Sequence, residues 1–251
     1  MKKAICSFLS LLLISGTLMA QTKVIAHRGY WDCNGSAQNS IASLQKAQEI
    51  GIYGSECDVY LTADGVLVLN HDETHGTMVV EETKYKQLKK LKLNNEEILP
   101  TFKSYLKQGL KDKNTKLIVE IKSHKDTTNE DRCVKEVVKM VKKYKMEGQV
   151  KYISFSKRAC ANLISLSPTT PVAYLGSDVA PKELKALGFS GVDFSDATFD
   201  KHPEWIAEAK ACGLTINVWT IDKEADMQRF INLKVDYITT NNPLLLKGLL
   251  R

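Results

Sequence analysis

Short apolar, β-branched runs recur along this chain, and each is followed by a stretch with helical spacing. That rhythm constrains the fold more than any other feature. A strand that reaches the next strand through a helix runs parallel to it, and a parallel sheet needs helices over its faces. The runs are Lys23–Gly29, Gly54–Leu61, Lys116–Ser123, Lys151–Ser156, Pro171–Gly176, Gly191–Ser195, Leu214–Thr220 and Asp236–Thr240. Between them, Ser40–Ile50 places Ile41, Leu44 and Ala47 on one side and stops at Gly51. Glu130–Met146, Pro203–Cys212 and Asp222–Leu233 are helical by the same criterion. A ninth run, Val66–Asp72, follows the second strand after only Thr62-Ala63-Asp64-Gly65. No parallel crossover is that short, so it returns antiparallel as a hairpin turned at Asp64-Gly65. Eight parallel strands remain, the number that closes a (β/α)8 TIM barrel, and 251 residues suffice for one. The segment 73–99 breaks the rhythm and is expected to be a small insertion over the barrel mouth. No repeat or linker argues for a second domain.

Residues 1–20 stand apart. Lys2 and Lys3 precede a run from Ala4 to Met19 that is apolar but interrupted by Ser7, Ser10 and Ser15. This reads as a signal peptide rather than a membrane anchor, with residues 21–251 as the domain, and places the protein in the periplasm or secreted. The formal charge of +6 is too mild for a nucleic-acid surface. The cysteines beyond the leader, Cys33, Cys57, Cys133, Cys160 and Cys212, are odd in number and lack zinc or disulfide spacing.

The strand ends carry charge where a barrel core should be apolar. The first ends in His27-Arg28-Gly29, the second holds Glu56-Cys57-Asp58, the third Glu120-Ile121-Lys122, and the hairpin returns with His71-Asp72. Strand carboxyl ends form the catalytic face of a barrel. Glu56 and Asp58 lie two apart and share a face, while Cys57 points into packing. With Glu120 they make either an all-oxygen site for a hard cation, Ca2+ or Mg2+, or a structural ion network with Arg28 and Lys122. His27 and His71 suit a general acid and base about a phosphoryl centre, and Arg28 and Lys122 suit phosphate oxygens. There is no Gly-x-Ser-x-Gly elbow and no phosphate-cradling glycine loop, which argues against an esterase or an NTPase.

In order, His27-Arg28-Gly29, Gln38-Asn39-Ser40, Glu56-Cys57-Asp58-Val59, Thr62-Ala63-Asp64-Gly65, His71-Asp72, Glu120-Ile121-Lys122, Ser154-Phe155, Trp219-Thr220 and Ile238-Thr239-Thr240 resemble the glycerophosphodiester phosphodiesterase family. The resemblance covers nearly all of residues 21–251. It implies a (β/α)8 barrel and metal-dependent hydrolysis of small-molecule glycerophosphodiesters to glycerol 3-phosphate and an alcohol. It implies Glu56, Asp58 and Glu120 as metal ligands, His27 and His71 as the acid/base pair, Arg28 and Lys122 on phosphate, and Trp219 as an aromatic wall near glycerol. Two segments depart from the family pattern: Ala37-Gln38-Asn39-Ser40 replaces Pro-Glu-Asn-Thr, and Asn241 follows Thr240 where the family has Asp. The loop Tyr30–Ser36 is also unusual, and its Tyr30 and Trp31 are expected to pack at the surface. The lysines at 84, 86, 89, 90 and 92 are expected on a solvated face. Rival functions on this scaffold are a lysophospholipase D or polymer phosphodiesterase and a non-catalytic phosphodiester binder.

Overall fold

The computed structural model describes residues 21–251. The proposed leader, 1–20, lies outside the described residues. All eight parallel strands are present: β1 (Lys23–Ala26), β2 (Gly54–Leu61), β6 (Lys116–Ile121), β7 (Val150–Ser154), β8 (Val172–Tyr174), β9 (Gly191–Ser195), β10 (Thr215–Trp219) and β11 (Tyr237–Thr240). They pair in sequence order, and β1 bonds both β11 and β2, which closes the sheet into a barrel. The hairpin is also present: β3 (Leu67–Leu69) runs antiparallel to β2 with Leu61 opposite Leu67.

Several strands are shorter at their carboxyl ends than their apolar runs. His27 through Gly29 form a turn because Arg28 (φ 56°) and Gly29 (φ 79°) are left-handed. Gly29 is required there: a Cβ would lie 2.2 Å from Ser43 Oγ. The chain then enters α1 (Ile41–Glu49), whose N-cap is Ser40, with Oγ accepting from Ser43 N at 2.9 Å. The remaining cover is α3 (Phe102–Gly109), α4 (Thr127–Tyr144), α5 (Lys157–Leu166), α6 (Pro181–Ala186), α7 (Asp196–Lys201), α8 (Glu204–Ala211), α9 (Glu224–Asn232) and α10 (Pro243–Leu249). Helix α9 starts two residues later than its apolar period suggests, because Asp222 is engaged elsewhere.

Apolar side chains fill two layers. A large shell between strands and helices includes Leu44, Val119, Val137, Leu163, Phe194 and Phe230. Inside the barrel, Ile25, Ile118, Ile153 and Leu175 pack together. At the amino ends of the strands, Tyr53 and Tyr237 stack with ring centroids 4.9 Å apart, and Lys151 Nζ donates to Tyr237 Oη at 2.7 Å. That end is plugged, so access to the axis is from the opposite rim.

The insertion, 73–99, is built from fragments. These are two two-residue strands, β4 (Thr74–His75) and β5 (Met78–Val79), a 3-10 turn at Val80–Glu82 and a single helical turn, α2 (Tyr85–Leu88). Val80, Leu88 and Leu99 bury themselves against Tyr60 and Val68 of the hairpin. Its lysines at 84, 86, 89, 90 and 92 are all exposed, as a solvated face requires. Glu97 reaches back to α1, where its carboxylate accepts from Ile41 N at 2.9 Å and Ala42 N at 3.0 Å. Among the described residues, no helix is long and apolar enough to cross a membrane.

Candidate active site

The open rim gathers His27, Arg28, Glu56, His71, Glu120, Lys122 and Trp219 around one cavity of about 170 Å³. Asp58 lies beneath them. Alternation on β2 turns Glu56 and Asp58 to the axis and buries Cys57 in the outer shell, so the two-residue spacing has its expected effect. Parallel register sets Asp58 beside Glu120 on β6. Ligand oxygens of Glu56, Asp58 and Glu120 lie within 4.8 Å of one another, and all three residues are buried.

Such a trio of acids is electrostatically expensive. Burial first, then the charges of Asp58 and Glu120, hold the Glu56 carboxyl well above its ordinary pKa. Burial and Asp58 push Glu120 up to about 8, against the pull of Lys122. Burial works against the Asp58 charge too, but Lys122, His71, the Asn39 amide and Arg28 outweigh it, and its pKa is lowered. The Lys122 ammonium lies 2.9 Å from Glu120 Oε1 and 3.3 Å from Asp58 Oδ1. Burial opposes its charge, yet Asp58 and Glu120 raise its pKa. Arg28 Nε stands 3.8 Å from Asp58 Oδ2. The basic pair therefore supplies part of the compensation that the acids need. It leaves Glu56 Oε1 buried without a hydrogen-bond partner. A buried carboxylate oxygen without a partner, within an all-oxygen donor set, fits a hard divalent cation.

Two left-handed residues build the second layer. At Arg28 the turn aims its backbone N–H at Glu56 Oε2, 2.7 Å away. At Asn39 (φ 57°) the side chain donates from Nδ2 to Asp58 Oδ2 at 2.8 Å and accepts from Asp58 N at 3.0 Å. Ser40 is the N-cap of α1, and Asn39 orients a carboxylate instead. Gln38, in place of the family Glu, accepts from Arg28 Nη1 at 2.7 Å and steadies the guanidinium without adding charge.

The two histidines differ in their partners. His27 Nδ1 lies 2.9 Å from Asn241 Oδ1. The same oxygen accepts from Trp31 Nε1 at 3.0 Å, and Asn241 Nδ2 donates to Asp222 Oδ2 at 2.7 Å. Trp Nε1 only donates and a carboxylate only accepts, so the Asn241 amide has one orientation. His27 Nδ1 must then carry the hydrogen, leaving Nε2 basic. Burial, then the Arg28 charge, lowers the His27 pKa below its ordinary value. His71 Nδ1 instead meets the Asp72 carboxylate at 2.7 Å.

Trp219 lines the cavity, with Nε1 donating to Asp193 O at 2.9 Å and its ring edge-on to Phe155 at 5.7 Å. Asp193, buried in the barrel, accepts from Asn217 Nδ2 at 2.8 Å. Of the unusual loop, Tyr30 is half-buried and packs against the large core rather than at the surface alone. Trp31 does more than surface packing, since it braces Asn241 and lines a groove beside the site. Asp222, Asp193 and the Asn39 contact were not legible as site features. Asp222 reads as an ordinary helix opener, but it accepts from Asn241 N at 2.8 Å and Thr240 Oγ1 at 3.0 Å.

A closed (β/α)8 barrel with this cluster at its strand carboxyl ends defines the class, a barrel enzyme. Residues 27–245 match the Glycerophosphoryl diester phosphodiesterase family, and the chain belongs to that family. It is 31% identical over 246 residues to a glycerophosphodiester phosphodiesterase of Caldanaerobacter subterraneus subsp. tengcongensis, covering 92% of this chain and 98% of that one. A crystal structure of a glycerophosphodiester phosphodiesterase from Parabacteroides distasonis superposes with a TM-score of 0.90 at 46% identity, covering 92% and 97% of the two chains. An Oleispira antarctica phosphodiesterase, solved with the product sn-glycerol-3-phosphate, shares the fold at a TM-score of 0.81 and 23% identity, covering 91% of this chain and 96% of that one.

Proposed function

We propose that the protein is an exported, divalent-metal-dependent phosphodiesterase that hydrolyses glycerophosphodiesters to glycerol 3-phosphate and an alcohol. The observation that carries this reading is the trio Glu56, Asp58 and Glu120, oxygens within 4.8 Å, sharing one rim with His27 and His71. Family membership supports the substrate class.

Glu56, Asp58 and Glu120 would hold Ca2+ or Mg2+, which when bound neutralises charge on the phosphoryl oxygens. Arg28 and Lys122 would bind the same oxygens, Arg28 braced by Gln38 and Lys122 by two carboxylates. His27 acts as the base: its Nδ1 hydrogen is fixed by Asn241, and its lowered pKa keeps Nε2 free near pH 7. His71 acts as the acid: the Asp72 carboxylate holds its Nδ1 at 2.7 Å and orients the ring, and it would protonate the departing alkoxide. The Trp219 and Phe155 rings would exclude water from the glycerol side. The apolar run Ala4–Met19 behind a basic start supports export.

Single-turnover kinetics on diesters with an activated leaving group test the roles. His71→Ala should regain most activity, because a good leaving group needs no proton, while His27→Ala should not. Rescue of His27→Ala alone would reverse the assignment. Activity that survives exhaustive chelation would remove the metal from the proposal. Processing between residues 20 and 21 on expression with the leader would support export, and retention of the leader would count against it.

A further inference from the structure

We propose that the alcohol released is an uncharged polyol, bound in a groove between the Tyr30–Ser36 loop and the insertion; this rests on the phosphodiesterase reading above. The central cavity, about 170 Å³, is filled by the charged cluster on one side and by Ile153, Phe155, Leu175 and Trp219 on the other. That is well below the roughly 300–1,000 Å³ of sites that enclose a drug-sized ligand. It has room for the phosphoryl group and one small ester arm, and the second arm must leave it. The groove is the outlet. It measures about 770 Å³ and shares His71 with the central cavity. His71 is the residue assigned to protonate the leaving oxygen, so the leaving arm lies on its side.

The groove is lined in a way that selects its occupant. Asn34, Ser36, Gln38, Asn70 and Asn94 give it amide and hydroxyl groups along its length. Asn70 spends its Nδ2 on Asp72 O and Thr74 O, which leaves Oδ1 as an acceptor. Trp31 offers one aromatic plate, fixed by its Nε1 bond to Asn241. One aromatic face plus planar amides matches a ring or chain of C–H and O–H groups. A quaternary ammonium group calls for a cage of several Trp, Tyr or Phe rings, and here Trp31 is the single residue of those types in the lining. The charges in the lining do not add up to a cation site: Asp72 is paired with His71, Asp32 is exposed and screened by solvent, and the Lys92 ammonium opposes a positive head group. An acyl chain would need a continuous apolar trough, and the amides interrupt any such path.

The test compares kcat/KM of the metal-loaded enzyme on glycerophosphoinositol, glycerophosphoglycerol, glycerophosphocholine and glycerophosphoethanolamine. The first two should exceed the others by at least about tenfold, a difference of roughly 1.4 kcal/mol. The double variant Asn34→Ala/Asn94→Ala, both exposed residues, should lose that preference through a raised KM on the two polyol diesters while its melting temperature stays unchanged. A choline or ethanolamine diester turned over as well as the polyol diesters overturns this inference and leaves the phosphodiesterase reading standing. So does a double variant that lowers all four equally. Turnover of none of them overturns both.

Discussion

A single amide decides which nitrogen of His27 is basic. Asn241 is held by Asp222 and Trp31 and has no freedom to turn, so its oxygen faces the imidazole. Asn241→Leu should lower kcat/KM by about 10–100-fold, the usual cost of losing a partner that orients a functional histidine. Far-ultraviolet circular dichroism should be unchanged, and steady-state kinetics reads the loss; retention of full activity would leave Asn241 without a positioning role. Asp193 allows a different prediction. Burial lifts its pKa to about 7, although the Asn217 hydrogen bond and Lys151 oppose the rise. The folded chain therefore keeps a proton on Asp193 that the unfolded chain has lost above its ordinary value of 3.8. Stability from this group is present below that value and is lost as pH rises through about 7. Asp193→Asn should raise the melting temperature at pH 8, with the gain shrinking toward pH 4. A gain that instead grows as pH falls would contradict the sign. At this scale the sequence was most legible where spacing alone sets direction, as for Glu56 and Asp58. It was least legible for Asn241 and Asp222, because Asn241 joins the ends of the first and last strands, Asp222 holds it from the end of β10, and no local pattern announces either contact.

Elements were legible to the degree that they stabilise themselves. The eight parallel strands are β-branched runs buried on both faces, and their register follows from crossover helices, so the apolar pattern locates them. Their carboxyl ends fell short of the apolar runs because left-handed residues such as Arg28 leave the strand to serve the site. The pieces of 73–99 have no such signature. A two-residue strand or a single helical turn exists only because Val80, Leu88 and Leu99 find Tyr60 and Val68. The same segment supports the barrel in return through Glu97, whose two bonds to the first amides of α1 add to the Ser40 cap. Negative charge at a helix amino end is favourable as well. Glu97→Ala should cost about 1–2 kcal/mol in urea unfolding, and Ser40→Ala about 1 kcal/mol. No measurable change for Glu97→Ala would mean the bonds are offset by lost hydration.

For the molecule as a whole, the acid trio is a place where stability and ligand binding are one quantity. A cation that binds only the folded barrel stabilises it by about 2.7 kcal/mol at a hundred times its dissociation constant. At about 2–4 °C per kcal/mol for a domain of this size, the melting temperature should rise about 5–11 °C between chelator and saturating Ca2+ or Mg2+. Calorimetry of wild type beside Glu56→Gln/Asp58→Asn checks this, since the double variant should lose the response. An equal response in both would place the ion elsewhere.

The seam of the barrel has a consequence for how the chain comes together. Strand β1 takes Tyr237–Thr240 along one edge and Gly54–Ser55 along the other. Until the final segment arrives, the nascent sheet is an open ribbon with two unsatisfied borders, and nothing made earlier can substitute for it. Locking therefore waits on the last strand, and with it waits the chemistry, because that strand delivers Asn241 to His27 in the same motion.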